Sequence, residues 1–334
     1  MADIEVIKSF HAVKSYLSVT EQDELAIKLG LTEEDKGRRL QGFEVELEFY
    51  LILYALNACK HMVGLDGAAA QLTDTASPDG YLEFKNGLRI LVEIKNEETG
   101  KFKMSNGRLR RQIQFAESLN IPLYYAIRFK NTYWTLFPSA LLEYNNGKLL
   151  LERDYKLSVF ERVAGSKYFI FPKGIALVST FSKKENKGES VFRGNFGEMV
   201  SYEIYYQNNL IFKLDRKAVN SSIFLEALHG AIRHQNSEVV ETNGDITVVT
   251  EELMNDTVLT DYSFSMTPIE HTIANLGNFY DVTAFYKECI NDKNILLQET
   301  RRNIYEIIKL LQTKNVPIKI VLSSEISQEK VKFL

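Results

Sequence analysis

Two acidic residues and a lysine lie close together in the strongly alternating segment 77–95, SPDGYLEFKNGLRILVEIK. They are Asp79, Glu93 and Lys95. Two carboxylates that share a site repel each other unless a proton or a cation lies between them. Magnesium suits that position, because it prefers hard oxygen ligands and bridges carboxylates to a phosphate. These residue types indicate metal-assisted hydrolysis of a phosphate ester, in which the lysine orients a water molecule or stabilises charge on the phosphate.

The alternation of apolar residues predicts how the two halves of this segment pair as a β-hairpin. Six apolar residues of the two strands have even numbers and so share one face: Leu82, Phe84, Leu88, Ile90, Val92 and Ile94. A two-residue turn would split this apolar surface. A three-residue loop at 85–87, with Gly87 in the left-handed conformation, pairs positions whose numbers sum to 172 and keeps the surface continuous. That register places Asp79 opposite Glu93 and directs both carboxylates and Lys95 to the same polar side. The competing interpretation is a solvent-facing hairpin with charged residues on its wet side.

The spacing of these residues resembles the PD-(D/E)xK nuclease superfamily, which includes many restriction endonucleases and archaeal Holliday-junction resolvases. Pro78-Asp79 is followed, after thirteen intervening residues, by Glu93-Ile94-Lys95 at the end of an apolar strand. The resemblance implies that Asp79, Glu93 and the main-chain carbonyl of Ile94 bind Mg²⁺, for which Mn²⁺ can substitute. It also implies that Lys95 is the catalytic lysine.

In the same family an acidic residue on the preceding helix often joins the metal ligands. The sequence predicts a largely buried helix from Phe43 to Met62, with three glutamates in its first turns. Glu44 is the first candidate for this ligand, and Glu48, one turn later on the same face, is the second. Glu46 is expected to point elsewhere, about 160° away around the helix. The alternative is that these acids only interact with the positive end of the helix dipole.

A basic segment follows the hairpin directly. Residues 101–111 contain no acidic residue and five basic ones: Lys101, Lys103, Arg108, Arg110 and Arg111. Such a cluster can hold a polyanion against a metal site. A solvated helix face is an equal alternative. Related nucleases often place a polar helix residue near the active site, and Gln112 is preferred to Gln114 for that position.

The order of predicted elements indicates an α/β fold with a restriction-endonuclease-like core, in which helices flank a central mixed β-sheet, plus a C-terminal α+β domain. The likeness to that fold covers about residues 40–138. The predicted segments are an N-terminal helical segment at 1–40, a nuclease core at 41–155 and a C-terminal domain at 156–334. The last would serve recognition, regulation or dimerisation.

Bulk composition excludes several function classes. The net charge of −4 argues against a protein that coats nucleic acid indiscriminately, although a local basic patch remains compatible with it. No apolar run approaches the roughly 18 residues of a membrane span, so a cytoplasmic protein without membrane contact is expected. Two distant cysteines do not form a zinc motif, and no phosphate-binding loop of the G-x-x-x-x-G-K-[ST] type occurs.

The sequence therefore predicts a Mg²⁺-dependent endonuclease that hydrolyses phosphodiester bonds of DNA, most readily double-stranded DNA, in restriction or another defence role. A homodimer is possible, because one such site cuts one strand at a time. Two alternatives stay open: a nucleic-acid-binding or regulatory module with a nuclease-like fold, and a nuclease that cleaves RNA.

Overall fold

The computed structural model describes residues 4–14, 16–32, 40–65, 76–130, 133–184, 192–214, 238–261, 286 and 297–321. The chain divides into two compact units. The first comprises Met1–Gly165 and Glu270–Ile295, and the second comprises Ser166–Ile269 and Leu296–Leu334. Within the described part of the chain, no helix has the length and apolar character needed to cross a membrane.

The first unit alternates helices and strands. Its helices are α1 (Ile4–Lys14), α2 (Val19–Lys28), α3 (Leu40–Ala55), α4 (Asn106–Ser118), α5 (Ser139–Tyr144), α6 (Leu151–Asp154) and α7 (Phe160–Ala164). Its strands are β1 (Cys59–Gly64), β2 (Gly80–Phe84), β3 (Arg89–Glu97), β4 (Lys101–Lys103), β5 (Leu123–Phe129), β6 (Tyr133–Pro138) and β7 (Lys148–Leu150).

A five-stranded sheet in the order β1-β2-β3-β5-β6 forms the centre of this unit. Strands β3 and β5 are parallel, whereas the other neighbours are antiparallel, so the sheet is mixed as predicted. Helix α3 packs on β3, and α4 packs on β5. Because helices cover β3, its residues from Ile90 to Ile94 are all buried.

The β2–β3 hairpin has the register that the apolar parity predicts. Tyr81 pairs with Leu91 and Leu82 with Ile90, so paired numbers sum to 172. Gly87 has φ of +87°, and its N–H donates to the Phe84 carbonyl at 2.9 Å. The bulged three-residue loop is therefore confirmed, and it follows from the need to bury one continuous apolar face.

The predicted helix from Phe43 to Met62 is wrong in its last part. Helix α3 ends at Ala55, and residues from Cys59 onwards form β1 against β2. Asn57 takes a left-handed φ of +52°, and the Ala58 N–H donates to the Leu53 carbonyl at 3.0 Å. This Schellman-type ending stops the helix and satisfies its last carbonyls.

Two further features concern where elements of the first unit begin and end. Helix α2 is capped by Ser18 in a capping box with Glu21. The first part of the first unit extends to Gly165. The reason is that α7 packs on β6, where the Val159 N–H donates to the Leu136 carbonyl at 2.9 Å. A strand predicted at 68–74 and a helix predicted at 223–234 lie outside the described residues.

The second unit contains antiparallel strands and one described helix. Its elements are β8 (Tyr168–Phe171), β9 (Ile175–Ser182), β10 (Phe192–Arg193), β11 (Gly197–Tyr206), β12 (Asn209–Leu214), β13 (Glu238–Asn243), β14 (Ile246–Glu252), β15 (Thr257–Thr260), α8 (Leu297–Thr313) and β16 (Lys319–Val321). One sheet has the order β10-β11-β9-β14-β13, with β12 on β11, and the other has the order β15-β8-β16. Residues of α8 join β8, β9 and β11 in one apolar core.

Candidate active site

The β2–β3 hairpin brings Asp79 to Glu93 and Lys95. Asp79 directly precedes β2, and the pair Gly80 and Val92 is the last of the hairpin register. The Asp79 Oδ2 atom accepts a hydrogen bond from the Ile94 N–H at 2.6 Å. The Asp79 carbonyl accepts another from the Leu65 N–H at 2.9 Å. Both main chain and side chain of Asp79 are therefore anchored to neighbouring strand ends.

The Lys95 ammonium contacts three oxygen atoms from three residues. Its Nζ lies 2.7 Å from Glu93 Oε1, 2.7 Å from the Ile94 carbonyl oxygen and 3.3 Å from Asp79 Oδ2. These atoms belong to the three residues that the family resemblance implies as metal ligands. The structure thus brings Asp79, Glu93, Ile94 and Lys95 together around one positive charge.

Glu93 is the most buried member of this group, with no exposed surface. Its Oε1 accepts hydrogen bonds from Lys95 and from Arg108, whose Nη2 lies 2.8 Å away. Its Oε2 is buried and has no hydrogen-bond partner among the described residues. Burial raises the pKa of Glu93, and the positive charge of Lys95 opposes that shift.

The same surroundings keep Lys95 charged. Burial lowers the pKa of Lys95, but the charges of Asp79 and Glu93 outweigh that effect, so its pKa is raised overall. The lysine is therefore an ammonium at neutral pH and acts as a donor, with no free pair to accept a proton.

Glu46 is the carboxylate of α3 whose charge interacts with this site, contrary to the expectation that it points elsewhere. Burial raises the pKa of Glu46 to about 8, and the nearby charges of Asp79 and Glu93 add to the shift while Lys95 opposes it. Tyr50, one turn further along α3, donates to the Asp79 carbonyl at 3.4 Å. The face of α3 that carries Glu46 and Tyr50 is thus the one that meets the hairpin.

Glu44 and Glu48, the two predicted candidates for the helix carboxylate, both form ion pairs with residues other than Asp79, Glu93 and Lys95. Glu44 forms an ion pair with Lys14 of α1. Glu48 forms an ion pair with Arg128 of β5 and accepts a hydrogen bond from Trp134 Nε1 at 3.1 Å. These partners of Glu44 and Glu48 lie far from α3 in the sequence.

The five predicted basic residues are all exposed. Lys101 and Lys103 flank the buried Phe102 on β4, so both point to the same side of this short strand. Arg108 in the first turn of α4 is the member of the group that pairs with Glu93. Arg108 therefore links the basic segment, residues 101–111, to the acidic centre, which is the pair of carboxylates Asp79 and Glu93.

Gln112 is buried, whereas Gln114 is exposed, so the structure places the preferred glutamine inside. Gln112 Oε1 accepts a hydrogen bond from the Tyr125 hydroxyl at 2.8 Å, and its Nε2 has no hydrogen-bond partner among the described residues. Tyr125 lies beside Glu93 in the β3–β5 register. Burial raises the pKa of Tyr125, and the charge of Glu93 adds to it. No sequence pattern had singled out Tyr125; its parallel alignment with Glu93 depends on the β3–β5 pairing.

The donor atoms of the site fit a hard divalent cation. In the described ranges, no three Asp, Glu, His or Cys side chains form a ready-made metal cage. Two carboxylates and one main-chain carbonyl nevertheless converge on the Lys95 ammonium, and Glu93 Oε2 is a buried acceptor without a donor. Oxygen ligands of this kind suit Mg²⁺, which commonly completes its coordination with water and substrate phosphate.

No protein-family model and no curated protein matches the sequence. Among solved structures, the chain is similar to Hjc, a Holliday junction resolvase from the archaeal hyperthermophile Archaeoglobus fulgidus. The two chains are 21% identical, with a TM-score of 0.31, and the match covers 37% of this chain and 96% of the resolvase. At that identity and TM-score the match does not assign this chain to a family.

Proposed function

We propose that this chain is a divalent-metal-dependent nuclease that hydrolyses phosphodiester bonds of DNA. The proposal rests on one observation above all: Glu93 Oε1, the Ile94 carbonyl and Asp79 Oδ2 converge on a single cation, the Lys95 ammonium. Two neighbouring carboxylates, of which Glu93 is fully buried and Asp79 partly exposed, are costly unless a cation neutralises them. Such a costly arrangement is typical of a functional site.

Each residue has a distinct part in this proposal. Asp79, Glu93 and the Ile94 carbonyl would hold Mg²⁺, and Mn²⁺ could replace it. When bound, the cation supplies Lewis-acid chemistry that makes a water molecule more nucleophilic and neutralises phosphate charge. Lys95, protonated because of its acidic neighbours, donates hydrogen bonds to a phosphate oxygen and stabilises the charge that develops there.

Glu46 replaces Glu44 as the proposed third carboxylate. Glu46 has a pKa of about 8 when no cation is bound at Asp79 and Glu93, so it keeps its proton at neutral pH. A divalent cation at Asp79 and Glu93 would favour the ionised form of Glu46. Glu46 would therefore contribute a negative charge to a site that holds the cation, and it is neutral at pH 7 in the site without one.

The basic residues Lys101, Lys103, Arg108, Arg110 and Arg111 are the proposed contacts to the nucleic-acid backbone. Their exposure leaves them able to approach phosphates, and guanidinium groups bind phosphates in bidentate fashion. A double-stranded DNA substrate would need two chains for a double-strand cut, so we propose a homodimer on DNA.

A nucleic-acid-binding module without cleavage is the second candidate. One observation favours it: Lys95 and Arg108 together neutralise Glu93 without any metal. In that case the acidic centre would hold the hairpin and α4 together, and the basic segment alone would bind nucleic acid.

A cleavage assay separates the two candidates. Purified full-length protein would be incubated with supercoiled plasmid, linear duplex DNA and RNA in Mg²⁺, in Mn²⁺ and in EDTA. We expect metal-dependent cleavage of DNA that Asp79→Asn and Lys95→Met abolish. Glu83→Gln is the matched control, because Glu83 lies on the same hairpin and pairs with Arg89 at 3.5 Å. Full cleavage by either site variant would refute the proposal, and binding without cleavage under every condition would support the second candidate.

A further inference from the structure

Arg108 belongs both to the exposed basic segment and to the buried acidic centre. Its main-chain N–H is held by the Ser105 cap at 3.4 Å, which fixes the first turn of α4. From there its guanidinium reaches Glu93 Oε1 at 2.8 Å. The Arg108 side chain is 51% exposed, whereas that of Glu93 is fully buried. One partner of this ion pair, Arg108, is therefore accessible to solvent, while the other, Glu93, lies in the interior of the site.

We infer that Arg108 couples nucleic-acid binding to metal binding: a backbone phosphate draws the guanidinium away from Glu93, and the acidic centre then binds a divalent cation more tightly. This inference rests on the proposed function and names a regulation of that same site. It makes Arg108 a positioning residue, because it acts through the charge and contacts of Glu93.

The charges around Glu93 give the physical reason. Glu93 Oε1 carries two positive partners, Lys95 and Arg108, while Oε2 carries none. A divalent cation that binds Glu93 is repelled by both positive groups, and burial of Glu93 strengthens that repulsion because the local dielectric is low. Removal of one guanidinium leaves Glu93 with a single neutralising partner and a free lone pair on Oε1.

The exposure of Arg108 makes such an exchange feasible. A half-exposed guanidinium gains little from a single contact to a carboxylate, whereas a phosphate offers two oxygens in the bidentate geometry that guanidinium prefers. The other exposed basic residues, Lys101, Lys103, Arg110 and Arg111, can hold the polyanion while Arg108 changes partner. Arg108 makes one oxygen contact where Lys95 makes three, so a change of partner breaks fewer contacts for Arg108.

The coupling has to be reciprocal, because both ligands act on one equilibrium. Bound DNA should raise metal affinity by the same factor by which bound metal raises DNA affinity. Coupling between two sites in proteins is commonly about 5- to 150-fold. For a partly exposed ion pair we expect the lower end of that range, roughly five- to tenfold.

Two measurements on the full chain test the inference. Mn²⁺ binding to the free protein would be measured by calorimetry, and binding of a fluorescein-labelled phosphorothioate duplex would be measured by anisotropy with and without Mn²⁺ at constant ionic strength. Arg108→Gln should raise the Mn²⁺ affinity of the free protein about fivefold. The same variant should also lose the increase in duplex affinity that Mn²⁺ gives the unaltered protein.

Arg110→Gln is the matched control, because it removes the same charge from an exposed position of α4 two residues further on. It should weaken duplex binding but keep both the Mn²⁺ affinity of the free protein and the coupling. Arg108→Lys keeps the charge and provides a variant with minimal disturbance of folding; it should retain part of the coupling. Unchanged Mn²⁺ affinity in Arg108→Gln, in a protein that does cleave DNA, would overturn the inference and leave the proposed function standing. Absence of both Mn²⁺ binding and cleavage would overturn both.

Discussion

The carboxylate of Asp79 accepts a hydrogen bond from the main-chain N–H of Ile94, with an N–O distance of 2.6 Å. Ile94 is 3% exposed, so water does not readily replace that bond. Asp79 thus fastens the entrance of β2 to β3, in addition to its part in the charged centre. A proposed metal ligand is in this way also a structural residue.

Because Asp79 is both a proposed metal ligand and the acceptor for the Ile94 N–H, two substitutions of Asp79 should differ in stability. Asp79→Ala leaves the Ile94 N–H unsatisfied and should lower the free energy of unfolding by about 1–3 kcal/mol. Asp79→Asn keeps an acceptor oxygen and should cost less. Both should lose metal-dependent cleavage. Urea unfolding followed by circular dichroism measures the first effect, and equal stability of the two variants would contradict it.

The hairpin could be predicted from the sequence because one physical requirement decides it. Only one register buries Leu82 and Phe84 on the same face as Ile90 and Val92. That register places Asp79 next to Glu93. The identity of the helix carboxylate could not be predicted in this way. The rotation of α3 depends on Lys14 and on other partners in β5 and β6, and no local pattern in α3 reveals them.

A comparison of Glu46 with Glu44 tests the corrected helix carboxylate. Glu46→Gln cannot ionise when a cation binds at Asp79 and Glu93, so it should reduce metal affinity and slow cleavage by at least about tenfold, which is about 1.4 kcal/mol. Glu44→Gln removes the ion pair with the buried Lys14 and should leave cleavage unchanged, with a stability cost of about 1–3 kcal/mol. Initial cleavage rates at several Mg²⁺ concentrations measure both. The reverse order of the two variants would restore Glu44 as the candidate.

The raised pKa of Glu46 predicts a pH dependence of stability without metal. In the unfolded chain the carboxyl loses its proton near 4.5, whereas in the folded protein it keeps the proton up to about pH 8. Between these values the unfolded state binds fewer protons, so the free energy of unfolding falls as pH rises. Glu46→Gln mimics the protonated form and abolishes this loss.

The two proteins should therefore differ little near pH 4.5 and increasingly up to about pH 8. At neutral pH, Glu46→Gln should be the more stable by about 1–3 kcal/mol. Urea unfolding in EDTA at a series of pH values gives the difference. A difference that stays constant with pH would show that Glu46 ionises normally in the folded protein.

The close approach of Gly80 to Tyr50 predicts a position where even a methyl group is not tolerated. A Cβ on Gly80 would lie 2.1 Å from the Tyr50 hydroxyl oxygen and 3.0 Å from the Val63 carbonyl oxygen. Gly80→Ala should cost about 1–3 kcal/mol and displace the neighbouring Asp79. Gly64→Ala is the matched control, because Gly64 pairs with Gly80 across β1 and β2 and has nothing within 4 Å of its Cβ position.

Tyr50→Phe should recover part of that loss, since it removes the hydroxyl and leaves the ring carbon at 3.2 Å. The double variant Gly80→Ala/Tyr50→Phe should be more stable than the sum of the single effects implies. Thermal unfolding of the four proteins measures the coupling. Additive effects would show that the strand, and not Tyr50, gives way to the methyl group.

The buried hydrogen bond between Tyr125 and Gln112 predicts different consequences for stability and for catalysis. Tyr125→Phe leaves Gln112 Oε1 without its donor and should cost about 1–3 kcal/mol. Gln112→Met removes the acceptor together with the Nε2 group, which has no partner among the described residues. The double variant should be less destabilised than the two single variants added together, because it leaves neither group unsatisfied.

Catalysis should separate the two single variants. Gln112 accepts from Tyr125, which lies beside Glu93 in the β3–β5 register, and its buried Nε2 has no partner among the described residues. We expect this Nε2 to donate to a water molecule or a phosphate oxygen at the acidic centre. Gln112→Met should therefore slow cleavage more than Tyr125→Phe does, even where the two are equally stable. Single-turnover rates, compared at a temperature where both proteins are fully folded, measure this. If the rates follow stability alone, Gln112 supports the fold and has no part in positioning the substrate.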